Sequence, residues 1–254
     1  MRGFPTIIVL APDGLERDRT VGFDGDSDHF LATVTEWADN QNTLLSYLKR
    51  WREDSTDVEW NYRIAKRYGD RGQSDLAGRF FKYVKMLDPD DKLGYLQEAE
   101  FNLSLGELHN DANPAPLTEF LTTVDNADWQ YQGYQALATF YEEKKEFENA
   151  IAVYRQALQK LPDSTSLLNG CAWMIHWHKL QTHFAWGIEL AEHAVALAPG
   201  DAGILDTLAW LYFDVGQIEK AAETMSQALK FDPKSSYLKE NLATMQNELK
   251  KQKP

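Results

Sequence analysis

The sequence predicts a mainly α fold, a stack of helical hairpins over residues 58–250, preceded by a small β-hairpin and a helix. Three observations carry that prediction. Apolar residues recur at three- and four-residue steps, small residues alternate with large ones along those faces, and a proline closes each complete unit.

In 131–162, Tyr134, Leu137, Ala138 and Tyr141 mark one face of a first helix. A turn follows at 144–146, then Phe147, Ala150, Tyr154 and Ala157 mark a second helix that Pro162 stops. The order returns in 202–233 as Leu205, Leu208, Ala209, Tyr212, Gly216, Ala221, Met225, Ala228 and Pro233. It is present again in 58–89 as Ile64, Ala65, Tyr68, Gly72, Ala77, Phe81, Val84 and Pro89. Small residues such as Ala138 and Ala150 let paired helices approach, and Tyr141 and Tyr154 fill the gaps that remain.

This pattern resembles the tetratricopeptide repeat. Two further copies are degenerate. One, from Lys92, keeps Tyr95, Ala99 and Gly106, then has an insertion around 109–116 before a helix at 117–124. The other keeps Leu168, Cys171, Ala172 and Ile175, then a longer turn before Gly187, Ala191, Ala194 and Pro199. Starts at 58, 92, 131, 165 and 202 give spacings of 34, 39, 34 and 37 residues. The expected repeats lie near 58–91, 92–130, 131–164, 165–201 and 202–235, with a capping helix at 236–250.

The first segment reads differently. Thr6–Leu10 is an apolar, β-branched run, Pro12-Asp13-Gly14 is a turn, and 16–21 is a second strand. A helix follows from about Asp26 to Ala38, with Phe30, Leu31, Val34 and Trp37 as its stripe. This order, led by Arg2-Gly3-Phe4-Pro5-Thr6, resembles the second half of a thioredoxin-like domain over residues 1–40. The resemblance implies that Pro5 is that family's cis-proline, beside a dithiol that this chain does not contain. Three readings stay open: a piece of a longer thioredoxin–repeat protein, a short form whose hairpin packs on the first repeat or pairs with a second copy, and an unrelated hairpin. Residues 41–57 are expected to be a connector helix carrying Leu44, Leu45, Leu48 and Trp51.

Composition narrows the partners. Acidic residues outnumber basic ones by 39 to 26, for a net charge of −13, which disfavours nucleic acid and anionic lipid. No apolar stretch is long enough to span a bilayer, so no membrane insertion is expected. No signal peptide is legible, which points to the cytoplasm as the chain stands, or to the periplasm if a leader lies upstream. One cysteine, Cys171, excludes an intrachain disulfide and reads as a small packing residue.

Catalytic chemistry is not expected of this chain; the thioredoxin-like resemblance implies a thiol–disulfide oxidoreductase or foldase, with repeats that recruit substrate, only if an upstream half supplies the dithiol. No phosphate loop, nucleophile elbow or zinc motif occurs, and carboxylates such as Glu142–Glu143 and Asp88, Asp90 and Asp91 fall at helix ends and turns, ordinary solvated positions. His176 and His178 are two apart and point to different helix faces, so neither a metal nor a cofactor is expected. The resemblance to tetratricopeptide repeats implies instead a scaffold that binds a protein or peptide in a groove lined by first helices. On this register the groove residues are Tyr62, Lys66, Gln135, Thr139, Asn169, Trp173, Asp206, Trp210 and Phe213. The family's basic clamp for chaperone C-termini is not reproduced, and the later wall is aromatic. The exposed edge of Thr6–Leu10 also offers a route to self-association.

Overall fold

The computed structural model describes residues 5–22 and 25–252. Arg2, Gly3 and Phe4 of the thioredoxin-like loop lie outside the described residues, as do Lys253 and Pro254. The chain forms two compact units, residues 1–124 and 125–254.

The first unit opens with β1 (Thr6–Leu10) and β2 (Glu16–Val21), antiparallel, with Thr6 opposite Val21 and Val9 opposite Asp18. A bulge interrupts the register between Val9 and Leu10. Exposed Pro5 lends its carbonyl to the Gly22 N–H at 2.8 Å. Helix α1 (Ser27–Ala38) is capped by the Asp26 carboxylate and buries Trp37, while Leu31, expected on the same stripe, is 65% exposed. Helix α2 (Leu44–Glu53) starts with a capping box between Thr43 and Ser46.

Two hairpins follow. Helices α3 (Val58–Asp70) and α4 (Ser74–Leu87) pair, and α5 (Leu96–Asn110) packs on α4 and on α6 (Ala115–Thr123). Their shared core gathers Tyr47, Ile64, Ala65, Phe80, Phe81, Val84 and Ala99. The sequence places this repeat's start at Lys92, but α5 begins four residues later. Asp88 explains the delay and corrects its reading as solvated. It is buried, and its carboxylate accepts the N–H groups of Lys92 and Leu93 at 3.0 and 2.9 Å, which holds the segment before α5 in a turn.

The β-hairpin is fastened to this unit by a charge. Asp18 on β2 is fully buried, and one carboxylate oxygen accepts the Leu44 N–H at 2.9 Å. Arg71 reaches its other oxygen at 2.7 Å, and the Arg67 guanidinium lies 3.1 Å away. Arg67 in turn covers the ring of Trp37 at 5.1 Å. A buried carboxylate held this way is stable only while both cations remain. The pairing joins β2, α2 and α3 into one body and seats the hairpin on the first repeat.

The second unit is built from α7 (Ala127–Glu143), α8 (Phe147–Lys160), α9 (Thr165–Trp177), α10 (Phe184–Leu197), α11 (Ala202–Asp214), α12 (Ile218–Phe231) and α13 (Ser236–Gln252). A single turn of 3-10 helix, Gln181–His183, precedes α10. Asn126, Ser164 and Asp201 cap the first helices α7, α9 and α11. Because Asn126 is the cap, α7 starts four residues before the Tyr131 at which the repeat pattern begins. Gly187 lets α10 lie close to its neighbours, since a side chain there would meet Ile175 at 3.1 Å and Leu211 at 3.3 Å.

Candidate functional site

In this unit the first helices α9 and α11 touch each other directly, and their outward residues form one wall. Trp173 and Trp177, one turn apart on α9, stack with ring centres 5.6 Å apart. Trp173 meets His176 at 5.2 Å, His176 stacks on Trp210 of α11 at 5.4 Å, and Trp210 meets Phe213 edge-on at 5.5 Å. Five rings therefore run as a continuous ladder across two repeats. Trp177 is its open end, 62% exposed, while Trp173, Trp210 and Phe213 are half-buried.

Carboxylates tie each first helix to the next. Glu142 at the end of α7 meets His178 at 2.8 Å. Asp214 at the end of α11 meets His176 Nδ1 at 2.7 Å and accepts from Lys179 at 2.8 Å. Asp206 accepts from Asn241 of α13 at 3.0 Å and from the Tyr237 hydroxyl at 3.3 Å. Burial alone would raise the Asp214 carboxyl, but its bonds to His176 and Lys179 hold it below the usual carboxylate range. Asp206 goes the other way: burial pushes it up, and the bonds from Asn241 and Tyr237 only partly offset that. His176 and His178 thus face opposite neighbours, one joined to α11 and the other to α7.

The sequence-derived groove residues divide. Trp173, Trp210 and Phe213 come together on the ladder. Asp206 is 6% exposed and is spent on holding α13. Asn169 is half-buried, with no donor reaching its side-chain oxygen among the described residues, and Gln135 and Thr139 are exposed on α7. Tyr62 and Lys66 belong to the first unit. The Tyr62 ring stacks on Tyr95 at 4.1 Å, and both Tyr62 and Lys66 bond to Glu98 of α5. The sequence-derived groove lacked His176, which was weighed only as a metal ligand, and also Trp177, Lys179 and Asp214. Trp177 had a signal, since it lies one helical turn beyond Trp173.

The first unit also has a crevice of about 720 Å³ at the ends of α3, α4 and α5, where Gly69, Gly78 and Gly106 leave room. Its rim mixes Lys66, Arg79 and Lys82 with Asp70, Asp75 and Glu107. Among the described residues, no group of three or more His, Cys, Asp or Glu could hold a metal ion, and no helix is long and apolar enough to cross a membrane. Cys171 is buried, and burial pushes its thiol well above the usual range.

Comparison with known proteins agrees with the helical part. Tetratricopeptide-repeat families match residues 131–159 and 184–243, both in the second unit, so the chain contains tetratricopeptide repeats. Among solved structures, MamA protein is 17% identical, covering 70% of this chain and 92% of its own, with a TM-score of 0.54. YrrB, described as a TPR protein with an unusual peptide-binding site, is 15% identical, covering 79% and 97%, with a TM-score of 0.56. Both share the repeat fold. No curated protein matches the chain. Neither family match reaches the N-terminal hairpin, so the thioredoxin-like resemblance of residues 1–40 gains no support from them.

Proposed function

We propose that this protein is a scaffold that holds a polypeptide segment of a partner against the ring-lined wall of α9 and α11. The ladder from Trp177 to Phe213 is the observation that carries this reading. Flat aromatic faces, packed in place by their neighbours, provide large contact area with little side-chain entropy left to lose. The carboxylate ties between successive first helices hold that wall in one shape, so little ordering remains to be done on binding. YrrB, which shares the fold, is described by its peptide-binding site, and this supports the same use of the fold here.

A thioredoxin-like oxidoreductase that recruits substrate through its repeats is less well served by this chain. Its only cysteine is buried Cys171, with no second thiol to form a pair.

A displayed random-peptide library panned on the full chain tests the scaffold reading. Selected peptides should lose at least about tenfold in affinity with Trp177→Ala and with Trp210→Ala. Phe231→Ala should leave them unchanged, because Phe231 is an exposed ring at the end of α12 and outside the ladder. Selected peptides that bind all three variants equally well would overturn the proposal.

A further inference from the structure

We infer that the guest of this wall is cationic: an extended segment carrying Lys or Arg side chains between apolar ones. The inference rests on the scaffold reading and specifies the chemistry of its partner. Its basis is the distribution of charge among helices. Helix α7 carries Asp128, Glu142 and Glu143, helix α11 carries Asp206 and Asp214, and α9 has no Asp or Glu. None of these three first helices contains a single Lys or Arg. Of the second helices, α8 carries Arg155 and Lys160 beside Glu148, α12 carries Lys220 and Lys230 beside Glu219 and Glu223, and α10 has Glu189 and Glu192 with no Lys or Arg.

The lysines in the turns beside the wall are mostly engaged. Lys144 sits 4.1 Å over the Phe140 ring, and Lys179 is bonded to Asp214. Lys145 lies in the α7–α8 turn, beyond the helix. Glu143 is exposed and has no hydrogen bond or ion pair among the described residues. It follows Glu142, whose carboxylate meets His178, the residue after Trp177. An exposed, unpaired acid therefore ends the first helix that Glu142 ties to α9. A ring face attracts a cation through its quadrupole, and a nearby carboxylate adds to that attraction. An acidic guest would meet the same groups as repulsion, and a purely apolar guest would leave Glu143 unused.

The test uses three fluorescent peptides of one length and one set of apolar residues, with Lys, Gln or Glu at every second position. Binding to the full chain is followed by anisotropy at two salt concentrations. The Lys peptide should bind about tenfold more tightly than the Gln peptide, and the Glu peptide more weakly than either. Glu143→Gln should cut that preference severalfold, and Trp177→Ala should weaken the Lys peptide further. Glu189→Gln, an exposed acid on α10 away from the wall, should change neither. If the Gln or Glu peptide binds as tightly as the Lys peptide while Trp177→Ala weakens them all, the wall stands and the cationic guest is refuted. If Trp177→Ala weakens none of them, the scaffold reading fails and takes this inference with it. A preference for Lys that Glu189→Gln reduces as much as Glu143→Gln does would mean diffuse attraction to an acidic protein, and would also refute it.

Discussion

Asp18 shows how a single side chain decides whether the N-terminal hairpin belongs to the repeat body. It sits in a strand reading Glu16-Arg17-Asp18-Arg19, where no alternation of apolar and polar residues marks an inward face. Its partner Arg71 is 53 residues away, beyond the reach of any local pattern. The sequence reading left the hairpin's docking open among three alternatives for that reason. Removing the carboxylate leaves the partly buried Arg67 and Arg71 with only Asp70, at 3.7 Å, and Glu16, at 3.2 Å, as acidic partners. Asp18→Ala should therefore cost about 3–5 kcal/mol in denaturant unfolding. A loss below about 1 kcal/mol would show that the hairpin is held by something else. Cys171 is the opposite case. Its small neighbours Gly170 and Ala172 and its place in an apolar helical pattern made its packing role legible without coordinates.

Among elements, the helix–turn–helix unit was legible because its signals are short-range. The spacing of apolar residues and the closing prolines act within a few residues. The turn between first and second helices repeats more strictly than the sequence reveals. Gly72, Lys145, Lys179 and Gly216 all have positive φ, at 68°, 60°, 54° and 79°, and each lies fourteen residues after its repeat's start at 58, 131, 165 or 202. Two of the four are lysines, so a search for glycine alone finds only half of these turns. A lysine there carries a backbone conformation that glycine adopts freely. Replacing exposed Lys145 with glycine should raise stability by about 0.5–1 kcal/mol, measured by urea unfolding. A decrease of that size would mean that the lysine side chain itself stabilises the turn. The start of α7 and the delayed start of α5 were misplaced because Asn126 and Asp88 act on the backbone outside the apolar repeat. The ring ladder was half legible. Trp173, Trp210 and Phe213 follow from the register, whereas His176 joined them through a bond to Asp214, 38 residues on.

At the scale of the whole molecule, the chain divides its work between two units. The first carries a charge-fastened hairpin, a connector and two helical pairs, and its groove tyrosine and lysine are tied to Glu98. The second keeps its rings accessible and holds successive first helices in place with Glu142, Asp214 and Asp206. Net charge bears on the class of partner to expect, but not on where on the molecule a partner lies. That information sits in the lack of any Lys or Arg on α7, α9 and α11, which becomes visible once helix boundaries are known. The central claim is that a guest polypeptide lies on the α9–α11 wall. Photo-cross-linking from position 177, with a benzophenone side chain in place of Trp177 and a peptide selected on the full chain, measures this directly. The account predicts capture of the peptide from position 177 and none from the same probe at position 231. Equal capture at both positions, or capture at 231 alone, would contradict it.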